Sequence, residues 1–141
     1  MPYLEVGEVV EIYNEVVGAQ FIRVRVEGAS EPTDAINYTL LTGRVDAGDR
    51  VLVNTTAVHL GLGTGGYHFV VANLTRPTVH RLEHGHIMKL RYTPHQLNVL
   101  SVDAPESPHH SVLQDADDIA GMPVIIGELH SMIAPAASGV K

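Results

Sequence analysis

EVGEVVEIYNEVVGAQFIRVRVEG, residues 5 to 28, carries the clearest periodic signal in the chain. Val6, Glu8, Val10 and Ile12 alternate with Glu5, Gly7, Val9 and Glu11, and past Gly18 the alternation resumes with Phe21, Arg23 and Arg25 opposite Ile22, Val24 and Val26. A period of two belongs to a strand with one buried face, so the stretch predicts two antiparallel strands. Beyond these residues, AINYTLL at 35–41 reads as a third strand, 51–53 after the Gly-containing turn of GRVDAGDR as a fourth, and YHFVVANL at 67–74 as a fifth. Residues 87–92 and 97–102 add two more, joined across Thr93, Pro94 and His95. Short strands separated by turn residues, with no amphipathic helix between them, predict a mainly β chain: a small antiparallel β-barrel over residues 1–105, whose closure removes exposed edges.

Residues 106–141 have another character. In ESPHHSVLQDADDIAGMP, Ser107 reads as an N-cap, Pro108 as the first helical position, and Val112, Leu113, Ala116, Ile119 and Ala120 as an apolar helix face stopped by Gly121 and Pro123. Asp115, Asp117 and Asp118 oppose the helix dipole at its negative end. The apolar run at 124–126 reads as a strand buried on both faces, followed by a Gly-Glu-Leu-His loop and a helix start cut short by Pro135. Helix, strand, loop and helix open an α/β unit, and one unit cannot cover both faces of its own strand. The segment therefore docks on the barrel, on a second copy in a homo-oligomer, or on a C-terminal domain missing from this sequence.

Composition narrows the function classes. With 141 residues, 45% hydrophobic and 5% aromatic, no Trp and no Cys, the chain suits a Val-, Ile- and Leu-filled core and has neither disulfides nor thiolate ligands. A formal charge of -7 disfavours nucleic acid and anionic lipid as partners. No apolar run reaches membrane-spanning length and MPYLEVGEVVEI lacks the parts of a signal peptide, so the expected location is cytoplasmic with no membrane partner. The Asn-x-Thr triplets at Asn37, Asn54 and Asn73 then carry no glycosylation meaning.

Three motifs carry candidate chemistry. GLGTGGYHFV at 61–70 satisfies G-x-G-x-x-G at Gly61, Gly63 and Gly66, but a strand-like run follows where a dinucleotide loop needs a helix. Gly63, Gly65 and Gly66 can still form a backbone anion nest, with Lys89 and Arg91 of MKLRYTPHQ as countercharges. His84, His86, His109, His110 and His130 are the candidate ligands for a divalent transition metal, which needs three or four converging donors. In GELHS, Glu128 is a candidate general base and His130 an acid, base or ligand, with Ser131 as a cap or phosphate donor.

AINYTLLTGRV, NTTAVHLGLGTGGYHFVVANL, GHIMKLRYTP, SPHH and GMPVIIGELHSM, occurring in order, together resemble an uncharacterised bacterial family of conserved proteins of unknown function. The resemblance implies a longer protein with a further glycine-rich α/β region, of which this chain is an N-terminal portion, and implies no activity. The expected function is a non-catalytic barrel module for assembly or for framing a ligand site. The alternatives are a metal-dependent enzyme with its site near His109, His110, Glu128 and His130, and anion or nucleotide binding by the glycine loop.

Overall fold

The computed structural model describes residues 3–63, 65–77 and 85–140. Five strands close a barrel: β1 (Leu4–Val16), β2 (Ala19–Val26), β3 (Thr33–Tyr38), β4 (Arg50–Asn54) and β5 (His68–Asn73). Their order around it is β1-β2-β3-β5-β4, antiparallel throughout except for the parallel pair of β3 with β5. The mainly β barrel expected from the alternation is thus observed, and its five strands are those read within residues 5–74.

β1 pairs with β2 along one edge and with β4 along the other. It does so by bending: register shifts between Val9 and Glu11 and between Ile12 and Asn14 change which side chains face inward. Gly7 and Val9 are buried on one phase and Ile12 packs against the core on the other. The single uninterrupted phase expected for Val6 to Ile12 is therefore corrected, because a bulge adds one residue to the strand and flips the alternation. Gly18, at φ +85°, makes the tight turn to β2.

The core is Val9, Ile22, Val24, Val26, Ala35, Val45, Val51, Val53 and Val70. A barrel of five strands has a narrow bore, and among the described residues six Val of the strands, the register partners Ile22 and Ala35, and Val45 fill it with no Phe or Tyr. No Leu belongs to that core among the described residues.

Two buried polar clusters fasten the connections. After β3, residues Thr39–Thr42 turn once as helix α1, replacing the end of the strand expected at 35–41. Asn37 donates through Nδ2 to Gln20 Oε1 (2.9 Å) and to the Gly43 carbonyl (2.8 Å), and Thr42 donates to Asn37 Oδ1. Gln20 Oε1 accepts the Val45 N–H at 2.9 Å, while its Nε2 donates to the Val45 carbonyl at 3.2 Å. Across the barrel, Asp49 accepts from the Asp46 N–H, Asn73 Nδ2 and Arg76. Burial alone would push the Asp49 carboxyl up, but the bonds from Arg76, the Asp46 N–H and Asn73 outweigh it and hold the group below the usual range.

His68, on β5, faces the barrel interior, and its buried Nδ1 has no hydrogen-bond partner among the described residues. Burial lowers its pKa, opposed by the nearby Glu5 carboxylate. The unfolded chain therefore takes this proton first: His68 contributes full stability above its unfolded value of about 6.5 and loses it as the pH falls from there through the folded value. Denaturant midpoints measured across that window should decline for the native chain and decline less for His68→Phe. Equal slopes would remove His68 from the account.

The remaining strands, β6 (Ile87–Lys89) and β7 (Leu97–Val99), are shorter than expected and pair with each other outside the barrel. The chain divides into two compact units, Met1–Glu83 with Leu90–Leu97, and His84–Lys89 with Asn98–Lys141. In the second unit, helix α3 covers only His110–Asp115, starting after the expected Ser107 cap and ending at the first of the three Asp residues. Ser107 still serves its start, its hydroxyl accepting the His109 N–H at 3.2 Å. The strand expected at 124–126 is not formed: Val124, Ile125 and Ile126 are exposed, Ile126 at 92%, and no β-ladder includes them. A strand needs a neighbour to bond its backbone, and this segment has none among the described residues. Pro135 does not cut the last helix short. It lies in the first turn of Ile133–Gly139, where its missing N–H costs nothing.

Candidate functional site

Strand alternation turns Phe21, Arg23 and Arg25 of β2, Asp34, Ile36 and Tyr38 of β3, and Phe69 of β5 outward. Such positions on a barrel with a filled interior are ordinarily polar. Here they collect aromatics. Of five Tyr and two Phe in the chain, Tyr13, Phe21, Tyr38, Tyr67 and Phe69 meet on this one face. Phe21, Ile36 and Phe69 stand directly opposite one another across β2, β3 and β5. Phe21 packs on Tyr13 (ring centroids 6.4 Å) and edge-on to Tyr67 (6.0 Å), and Tyr38 lies near-parallel to Phe69 at 6.1 Å. Tyr13 and Tyr38 remain 45% and 43% exposed. The row also crosses the parallel β3–β5 seam, where only Ala35↔His68 and Ile36↔Phe69 pair, so the Tyr38–Phe69 contact reinforces the shortest ladder of the barrel.

A charged row runs beside it. Arg23 lies between Glu11 (3.8 Å) and Asp34 (3.4 Å), its register partners on β1 and β3. Two carboxylates to one guanidinium leave that row net negative. Glu15, further along β1, is paired with Arg44 and held below the usual carboxylate range chiefly by that hydrogen bond.

The glycine-rich stretch borders this face. It closes the short helix α2 (Thr56–His59), with the Gly61 and Leu62 N–H groups donating to the Val58 and Ala57 carbonyls (3.1 and 2.8 Å), and it leads into β5 rather than a helix. The Rossmann context is absent, as the run after it predicted. The stretch delivers Tyr67 onto Phe21. A hydrogen bond with Tyr67 is the first cause, ahead of burial and the Asp34 carboxylate, that pushes Tyr13 up to about 12. Ultraviolet titration should therefore find one tyrosine ionising near that value, returning toward about 10 in Tyr67→Phe. An unchanged titration would mean that the loop and β1 are not tied.

The glycines, basic residues and histidines singled out from the sequence are spread over both units. Gly63, Gly65 and Gly66 are exposed in the barrel unit, Lys89 ends β6 in the second unit, and Arg91 is exposed at 91. His84 lies outside the described residues, as does the side chain of His130; Glu128 is exposed. His86 and His110 do share a neighbourhood. His86 Nδ1 is 3.9 Å from Glu106 Oε2, His110 Nδ1 is 2.7 Å from the Asp103 carbonyl, and both imidazoles help to lower the Asp103 carboxyl, after its bonds from Ser101 and its own backbone. His109 is exposed at the start of α3. Among the described residues no group of three or more His, Asp and Glu is placed to hold a metal ion. No sequence motif marks the aromatic face; Phe21, Tyr38 and Phe69 announce it only by occupying polar-phase positions of strands.

The strand order, the long bent β1 shared by two neighbours and the single parallel pair define a five-stranded Greek-key barrel of the OB type, with the glycine stretch in its β4–β5 connection. By sequence, the chain belongs to the family described as protein of unknown function (DUF3866), whose model matches residues 34–141. No curated protein and no solved structure matches the chain. No helix among the described residues is long and apolar enough to cross a membrane.

Proposed function

We propose that this chain is a non-catalytic recognition module, a barrel that binds or assembles through the outer face of β1, β2, β3 and β5. The observation that carries the reading is the gathering of Tyr13, Phe21, Tyr38, Tyr67 and Phe69 on polar-phase positions, because contiguous exposed apolar surface marks interaction sites. Fold alone does not assign a ligand. The exposed run Val124–Ile126 supports its working within a larger assembly, since three consecutive exposed apolar residues suit the middle of a sheet supplied by other residues.

A turnover screen tests the reading. The full chain should hydrolyse no model ester, phosphomonoester or glycoside, and turnover abolished by His110→Ala would overturn it.

Elemental analysis of untagged protein gives a second check: among the described residues no group of three or more His, Asp and Glu is placed to hold a metal ion, so a stoichiometric transition metal lost in His86→Ala and His110→Ala would overturn the non-catalytic reading.

A further inference from the structure

Resting on the recognition-face reading, the geometry points to its occupant: we infer that the aromatic row takes a proline-rich, polyproline-II peptide carrying a basic residue. Phe21 and Phe69 are separated by one intervening strand, with Ile36 between them. Two strand spacings amount to about 9.6 Å. A polyproline-II peptide advances about 9.3 Å in one turn of three residues, so prolines at i and i+3 match the two ring clusters. Tyr13 and Tyr67 widen the cluster at Phe21, and Tyr38 widens the one at Phe69.

The chemistry agrees with the spacing. Proline rings are apolar and stack on aromatic side chains, and a polyproline-II chain uses none of its carbonyls internally, leaving them to accept from the hydroxyl of the half-exposed Tyr38. Such a peptide is already extended and loses little conformational freedom on binding.

Charge selects among extended ligands. The row beside the rings holds Glu11 and Asp34 around one Arg23, and the next outward residue of β2, Arg25, is registered against Glu8. With Arg23 and Arg25 set against Glu8, Glu11 and Asp34, that surface holds one carboxylate in excess, which offers no basic groove to a phosphate backbone and can pair with an arginine or lysine flanking the prolines. A single-stranded nucleic acid could stack its bases on the same rings but would need a basic groove for its phosphates.

Four probes test this on the full chain, followed by NMR shifts and calorimetry: acetyl-RPPAPPAPPR-amide, acetyl-RGSAGSAGSR-amide, a ten-nucleotide oligo(dT) and cellohexaose. The proline peptide should bind saturably, shifting Phe21, Ile36, Tyr38 and Phe69, while the glycine-serine peptide does not bind. Affinity should fall at least tenfold in Phe21→Ala and in Tyr38→Ala, and severalfold in Asp34→Asn, which keeps both rings if an aromatic variant unfolds. Absence of saturable binding, equal binding of the control peptide, or unchanged affinity in all three variants overturns the inference. Oligo(dT) or cellohexaose binding, lost in the same variants while the proline peptide stays silent, also overturns it but leaves the recognition module standing. Silence from every probe removes the peptide inference, and the module reading is then judged by the turnover screen.

Discussion

Gly7→Ala destabilises the barrel by about 3 kcal/mol, the upper part of the range for forcing atoms into a filled core. Gly7 is buried in β1, registered against Val26 on one side and Val51 on the other. A Cβ there would lie 2.7 Å from Val24 Cγ2 and 2.9 Å from the Arg25 carbonyl oxygen. Val24 is fully buried and has little room to turn, and the carbonyl is main chain that moves only with β2. The damage is steric, which separates it from Gly18→Ala, where the added Cβ meets nothing within 4 Å and only the +85° φ is strained. Urea denaturation of both variants checks the ranking. A Gly7→Ala chain as stable as the parent would mean that β1 does not pass this close to β2.

The same strand shows where sequence reading stops. Alternation located β1 and β2 because burying one face imposes a period of two, and Ile22, Val24 and Val26 are inward as that period requires. It could not locate the bulges in β1, since EVGEVVEIY stays alternating on paper while the added residues reverse which face is buried. Closure was legible as a class and not as a connectivity: the parallel β3–β5 pair joins residues far apart in sequence, and no local pattern encodes it.

The site was less legible than the fold. Motif spacing drew attention to glycines and histidines, whose chemistry depends on convergence that spacing does not contain. Glu128 was placed in a loop after a buried strand, but Val124–Ile126 has no sheet around it among the described residues, so the premise for a site at a strand's carboxyl end is missing. The aromatic face is half legible: with β2, β3 and β5 phased, Phe21, Tyr38 and Phe69 fall on the outer side, and only their cross-strand register comes from the structure.

Asn37→Ala carries the other large effect, also about 3 kcal/mol, because it strips partners from buried groups as well as leaving a void. Asn37 and Gln20 are fully buried. The truncation takes the Nδ2 bonds from the Gly43 carbonyl and Gln20 Oε1, and leaves the Thr42 hydroxyl with the Tyr38 and Gly43 carbonyls, at 3.0 and 3.3 Å, in place of its bond to Asn37 Oδ1. Since Thr42 holds α1 against the end of β3, the loss should also loosen Tyr38 and reduce its ring contact with Phe69. Asn37→Asp is the sharper test. It puts a carboxyl where Nδ2 donated to two oxygens, Gln20 Oε1 and the Gly43 carbonyl, so burial and those acceptors favour the neutral acid and raise its folded pKa. The variant's deficit relative to the parent should be smallest below about pH 4, the unfolded carboxyl value, and widen as the pH rises through the folded one. A deficit that does not change with pH would mean that the carboxyl reaches solvent and that the network does not hold α1 to the barrel.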